Sequence, residues 1–157
     1  MSTSISRDSL MAAFGENPMV LPDGIVHGTR AADWPVVLDA LSRAGWPARW
    51  NSPGPGPGTP VDPRDFDDPS RHYDSFAVHP APGVRVNFFW YPGEVVFDID
   101  LRELRDQASV DGVCALMIVL GEATGRTVTL SQEGDEDAVV VSYDPGDSSF
   151  RLTSSEG

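Results

Sequence analysis

Asp98 and Asp100 stand one residue apart at the end of an apolar run, "EVVFDIDLREL" (94–104). Carboxylates so spaced can do two kinds of chemistry: one attacks while the other moves a proton, or both hold a divalent cation. Folding could bring His79 near Asp98. His27, His72 and His79 share no ligand-like spacing, however, and a satisfied or solvated imidazole is the ordinary role of each. Cys114 is the single cysteine and lies in the most apolar stretch, "VCALMIVL" (113–120), which suits a buried inert thiol. No nucleophile-elbow motif, phosphate-binding glycine loop or Cys/His zinc pattern is present. The sequence calls for no cofactor and no metal, and nothing in it positively suggests an enzyme.

"VVFDIDL" resembles the first motif of haloacid-dehalogenase-type phosphatases, which would make the first aspartate a nucleophile and the second a general acid. The chain departs from that pattern in three ways. Arg102 stands where Thr or Val is usual, no lysine exists for the later basic motif, and too little chain follows for that α/β core. The same residues resemble the paired aspartates of nucleotidyltransferases, a family that needs a Gly-Ser or Gly-Gly turn opening a helix upstream. Here a strand and a turn, "PGVRVNFFWYPG", precede them.

Alternation gives the aspartates a structural role instead. A hairpin of "VRVNFFWY" and "EVVFDIDL" about Pro92-Gly93 pairs positions that sum to 185. Trp90 then meets Val95, Phe88 meets Phe97 and Val86 meets Ile99 on a core face. The other face pairs Phe89 with Val96, Asn87 with Asp98, and Arg85 with Asp100, giving Asp100 a cross-strand cation. A metal-assisted hydrolase or transferase using Asp98 and Asp100 is the alternative.

The elements that position this hairpin follow from pattern. "SRDSLMAAFGEN" (6–17) forms a short helix that Gly15 ends, and "MVLPDGIVHG" (19–28) reads as extended pieces around a Pro-Asp-Gly turn. "DWPVVLDALSRAG" (33–45) is a helix capped by Asp33, with Trp34, Val37, Leu38, Leu41 and Ala44 on one side, and a short strand "PARW" (47–50) follows it. "SVDGVCALMIVLGEATGR" (109–126) is a second long helix, capped by Ser109 and stopped by Gly125. "DSFAVHP", the hairpin, "TVTLSQ", "AVVVSYD" and "SFRL" are strands. The expected fold is α+β: a mainly antiparallel sheet of about six to eight strands with two principal helices on one face, plus a short N-terminal helix.

The chain of 157 residues suits one domain. Residues 1–18 read as a partly mobile arm, 51–72 with six prolines as a long surface loop, and 153–157 as a flexible tail. Formal net charge is −13, and all 11 basic residues are arginine. That balance argues against nucleic acid or an anionic membrane as ligand and suits a basic protein partner. The N-terminus lacks signal-peptide character and the apolar run 113–120 is too short to span a bilayer, so the cytoplasm is the expected location.

On the hairpin's second face, Phe89, Tyr91 and Val96 are rimmed by Arg85, Asn87 and Asp98, the layout of a partner-binding patch or a homodimer seam. Phe66 and Asp67 in "DFDDP" (65–69), with Asp135 and Glu136 in "EGDED" (133–137), are further candidate contacts. A small, acidic, lysine-free chain with a Trp-bearing first long helix, an aromatic hairpin and a late "VVVSYDPGDSSFRL" segment resembles immunity-type proteins of bacterial polymorphic-toxin systems. It also resembles small proteins of high-GC bacteria. The resemblance implies a protein that blocks a cognate toxin, often a basic nuclease, without catalysis of its own.

Overall fold

The computed structural model describes residues 4–15, 20–51, 58–71 and 74–153. Its strands are β1 Asp23–Val26, β2 Arg49–Trp50, β3 Ser75–Ala81, β4 Val84–Phe89, β5 Val95–Asp98, β6 Val128–Ser131, β7 Val139–Asp144 and β8 Ser149–Leu152. They form one eight-stranded sheet in the order β2-β3-β4-β5-β1-β6-β7-β8, antiparallel throughout. The helices are α1 Arg7–Phe14, α2 Trp34–Arg43 and α3 Gln107–Thr124. This is the α+β architecture expected, with two longer helices over one sheet face and a short helix at the N-terminus.

The hairpin register is the one alternation dictates: Asn87 lies opposite Asp98, Phe88 opposite Phe97, and Phe89 opposite Val96. Val86, Phe88, Trp90, Val95, Phe97 and Ile99 are all buried on the helix-covered side. The turn itself is wider than two residues, because β4 ends at Phe89 and β5 begins at Val95. Tertiary bonds hold that connection: the Trp90 N–H donates to the Asp74 carbonyl, and the Trp34 indole Nε1–H donates to the Tyr91 carbonyl at 3.1 Å.

β1 departs from expectation. Pro22-Asp23-Gly24 makes no turn; Asp23 and Gly24 open the strand that runs between β5 and β6. Gly24 lies opposite Phe97, and a Cβ there would overlap the Phe97 ring. A glycine that would ordinarily weaken a strand is required here by close packing. After β5 the chain crosses β1 through α3 before returning as β6.

In α2, Trp34, Val37, Leu38 and Leu41 are buried as the spacing requires, whereas Ala44 ends the helix exposed. Asp33 does not cap it through its side chain; its carboxylate accepts the Arg30 N–H at 2.8 Å, within a preceding 3-10 turn. The Trp46 N–H reaches back to the Leu41 carbonyl across Gly45, whose φ of 85° is left-handed. α3 begins before the expected Ser109, because Asp106 is the cap: its Oδ1 accepts both the N–H and the hydroxyl of Ser109. Gly125 stops it with φ 68°. Gly112 lets α3 approach β3, since a Cβ there would lie 2.6 Å from that of Ala81. By length and composition α3 is sufficient to cross a membrane, yet 50% of it is buried against this sheet and its neighbours.

Residues 4–15 of the expected arm make contacts with α3 and the core. The Arg7 N–H donates to Gln107 Oε1, Gln107 Nε2 donates to the Ile5 carbonyl, and Leu10 and Phe14 are buried. Within the expected surface loop, 58–71 is also built into the fold. Pro60 bridges to Arg49, Asp62 caps a 3-10 turn over Pro63–Asp67, and the Trp50 indole donates to Asp65 at 2.9 Å. Residues 1–3 and 16–18 of the arm, 52–57 and 72 of the loop, and 154–157 of the tail lie outside the described residues. Thr153 is tied to the Val140 carbonyl.

Gly24→Ala is expected to lower unfolding free energy by about 1–3 kcal/mol through overpacking against Phe97. Gly93→Ala, where a Cβ meets nothing within 4 Å, is expected to change it by less than about 0.5 kcal/mol. Urea unfolding of both variants measures the contrast; equal effects would mean that Phe97 yields freely.

Candidate functional site

With α2 and α3 on one side, the opposite face of the sheet presents its side chains in rows. One row runs from Ser75 on β3 through Phe89, Val96 and Ile25 to Thr129 on β6. The neighbouring row runs from Arg49 on β2 through Ala77, Asn87, Asp98 and Asp23 to Ser131. The first row is apolar at its centre and the second is polar, so an apolar stripe lies directly beside a charged one. Phe89, Tyr91 and Val96 are half-buried, and the Phe89 and Tyr91 rings stack with centroids 6.5 Å apart. Ile25 is buried among these neighbours even though it is on this face.

At the β1–β5 end the charged row is acidic. Asp98 is half-buried and accepts one hydrogen bond, from Asn87 Nδ2 at 3.3 Å. Burial pushes its carboxyl above the usual aspartate range, and nearby Asp23, Asp100 and Glu133 push the same way, while the Asn87 bond opposes them. Glu133 belongs to "EGDED", and the Gly134 N–H donates to Asp23 Oδ2 at 2.9 Å, fixing that turn beside β1. Asp135 and Glu136 in the same turn are exposed.

Asp100 behaves oppositely, and its partner is not the expected one. Its side chain bonds Arg102, with Nη2 to Oδ2 at 2.8 Å and Nε to Oδ1 at 2.9 Å, and it caps the 3-10 turn Leu101–Glu103. The Arg102 side chain is the first cause that holds the Asp100 carboxyl below its ordinary value. A partner two residues along the chain is held nearer than a cross-strand one. Arg85 is thereby left to bond Asn87 Oδ1 and Asn51 Oδ1, and its own N–H donates to Glu103 Oε1.

At the other end of the row lies a groove of about 410 Å³, lined by Pro47, Arg49, Trp50, Asn51, Gly58, Ala77, His79 and Arg85. Arg49 donates to the Gly58 carbonyl at 2.9 Å, and the His79 ring meets the Val84 carbonyl through Nδ1 at 3.1 Å. His79 is thus engaged at β4's start, not at Asp98, two strands away. Asn51 and Asn87 connect the two ends, because Asn51 Nδ2 donates to Asn87 Oδ1 at 3.1 Å.

Phe66 requires a correction. It is not a surface contact: it is buried and stacks on Trp34 with centroids 5.2 Å apart and a 20° interplanar angle. Asp67 is exposed on the 3-10 turn that packs against α2, so it does not join the Phe89 surface. Cys114 is buried, and burial pushes its thiol up to about 11, which removes it as a nucleophile near neutral pH. Among the described residues, no three His, Cys, Asp or Glu side chains are grouped to hold a metal ion. Sequence reasoning missed Asp23, Arg49 and Asn51. The first was hidden inside an apparent turn; Arg49 belongs to a strand of two residues, and Asn51 follows directly after it.

Comparison with protein-family models, with curated proteins and with solved structures finds no match to the chain.

The two aspartates of the opening motif should therefore titrate on opposite sides of 3.8. Asp98, raised in the folded state, contributes stability below 3.8 that is lost as pH climbs through its folded value. Asp100, lowered, contributes stability above 3.8 that is lost as pH falls through its folded value. Asp98→Asn is expected to gain stability relative to the parent as pH rises from about 3 to about 7, across the aspartate range. Asp100→Ala is expected to lose about 1 kcal/mol at neutral pH through the missing cap. Carboxyl NMR titration with urea unfolding across pH tests both; parallel titration of the two groups would contradict the assignment.

Proposed function

We infer that the protein is a non-catalytic binding module that holds a basic protein partner against the open face of its sheet, in the manner of the immunity-type proteins its layout resembles. The observation that carries this reading is the apolar row of Phe89, Val96 and Ile25 lying beside the carboxylates Asp98 and Asp23. An apolar centre with a polar rim gives affinity, and a charged flank gives orientation and encounter rate. Net charge −13 extends the same preference to long range. Asp98 adds a specific reason. Desolvation and like charges disfavour its ionised form in the free protein, and a cation from a partner would offset that cost by direct attraction. A homodimer through this face is the alternative, and the net charge of −13 on each copy opposes it at long range.

The experiment is cross-linking in native cells, identification of the captured protein, and calorimetry with both proteins purified. The expected partner is basic, binds one to one, and binds more weakly as salt rises. Phe89→Ala is expected to weaken binding by about thirtyfold or more, the scale of a 2 kcal/mol contact, with the melting temperature nearly unchanged. Asp98→Asn is expected to weaken it less and to flatten the salt dependence. If neither variant changes the affinity, the open face is not the binding surface; if light scattering finds a homodimer that Phe89→Ala dissolves, the seam reading replaces this one.

A further inference from the structure

The groove at the β2–β3–β4 end of the open face has a chemistry opposite to the rest of the molecule. In a chain of 24 acidic and 11 basic residues, two arginines and a histidine converge on one concavity. Among the described residues, neither Arg49 nor Arg85 has a carboxylate within ion-pair distance. Arg43, Arg64 and Arg102, by contrast, each have an aspartate. Neutral oxygens position the groove arginines instead. Arg85 gives Nε to Asn87 and Nη2 to Asn51, while Arg49 gives Nη1 to the Gly58 carbonyl. A guanidinium carries five N–H donors, so both keep most of their donors and their whole charge for another group.

The remaining lining side chains fit the same demand. A carbonyl only accepts, so the His79 Nδ1 facing Val84 carries a proton; Nε2 can then accept from a phosphate hydroxyl, and donates to an oxyanion when the ring is cationic. Asn51 is held by Ser75, Asn87 and Arg85 together, which fixes the Arg85 fork on a rigid sheet rather than on a loop. Pro47 and Ala77 supply an apolar wall, while the Trp50 side chain turns away into the core. Two arginine forks from separate strands exceed what a carboxylate's two oxygens need and suit a tetrahedral oxyanion with three terminal oxygens. A volume of about 410 Å³ falls in the range of small-molecule sites and exceeds the space that an inorganic anion would fill.

We propose that this groove is a binding site for a small-molecule phosphomonoester, its phosphate held by Arg49 and Arg85 and its organic portion lying along Pro47 and Ala77. The groove lies at the opposite end of the open face from Asp98 and Asp23, although Arg49 shares their row and Arg85 is in the expected rim of the Phe89 patch. It also locates a positive feature that the overall charge conceals: the field of the whole chain repels anions at a distance, whereas the local forks act within hydrogen-bond reach.

The test is calorimetric titration of the full chain with glycerol 2-phosphate, inorganic phosphate and a phosphoserine-containing pentapeptide. The expected result is saturable one-to-one binding of glycerol 2-phosphate, tighter than inorganic phosphate. Arg49→Gln and Arg85→Gln should each weaken it by about tenfold or more, as loss of a charge-assisted bond requires. Arg43→Gln, on α2, should leave it unchanged, and circular dichroism of every variant should match the parent. Absence of saturable binding by glycerol 2-phosphate overturns the proposal, as does equal weakening by Arg43→Gln. Binding of the phosphopeptide without glycerol 2-phosphate would overturn the small-molecule assignment in favour of a phosphoprotein. Because Arg49→Gln leaves Phe89 and Asp98 in place, loss of anion binding with partner capture intact separates this site from the partner surface.

Discussion

The fold is organised around the Trp34 side chain. It is fully buried at the start of α2 and touches four aromatic rings: Phe66 in a stack, and Phe76, Phe88 and Trp90 edge-on, with centroids from 5.1 Å (Phe66 to Trp90) to 6.4 Å (Trp34 to Phe88) within the group. Rings of this size dominate apolar burial, and edge-to-face geometry adds to it. Through Trp34, three separate parts of the chain are fixed together: α2, the 58–71 segment by way of Phe66, and strands β3 and β4. Its indole N–H also reaches the Tyr91 carbonyl, so the same residue sets where the β4–β5 connection lies.

That concentration of rings on one side determines what the other side can do. The helices, the loop and the aromatic cluster use one sheet face completely, and the second is left to water or to ligands. Its side chains are aligned by strand register, so their chemistry appears in rows. The rows carry a gradient, from Arg49 and Arg85 at β2–β4 to Asp98 and Asp23 at β5–β1, joined through Asn51 and Asn87. Positive and negative ends on one rigid face distinguish this surface from a uniformly acidic one.

Some of this was legible in the sequence because period-two alternation carries register directly. Phe88 and Phe97 are large, adjacent in space and both on the odd-even pattern that buries them, so the hairpin could be aligned without a structure. Asp100 was not legible. Alternation places it beside Arg85, but a carboxylate can close a local turn on Arg102 at little entropic cost, and that geometry prevailed. Phe66 was hidden by its own neighbourhood: carboxylates and prolines mark a loop, and only the tertiary contact with Trp34 shows that one ring leaves it. Gly24 misled for a related reason, since a Pro-Asp-Gly run signals a turn unless a distant ring requires the glycine's missing side chain.

The position of β1 also bears on how the chain assembles. Both of its ladder partners come from much later sequence, residues 95–98 on one side and 128–131 on the other. Loop closure over such distances must be met before any pairing rewards it, which places the completion of the sheet late in folding. During synthesis, β1 emerges before the other strands of this sheet yet is among the last to find its neighbours. Until α3 has crossed and β6 has arrived, the middle of the future sheet is an open edge.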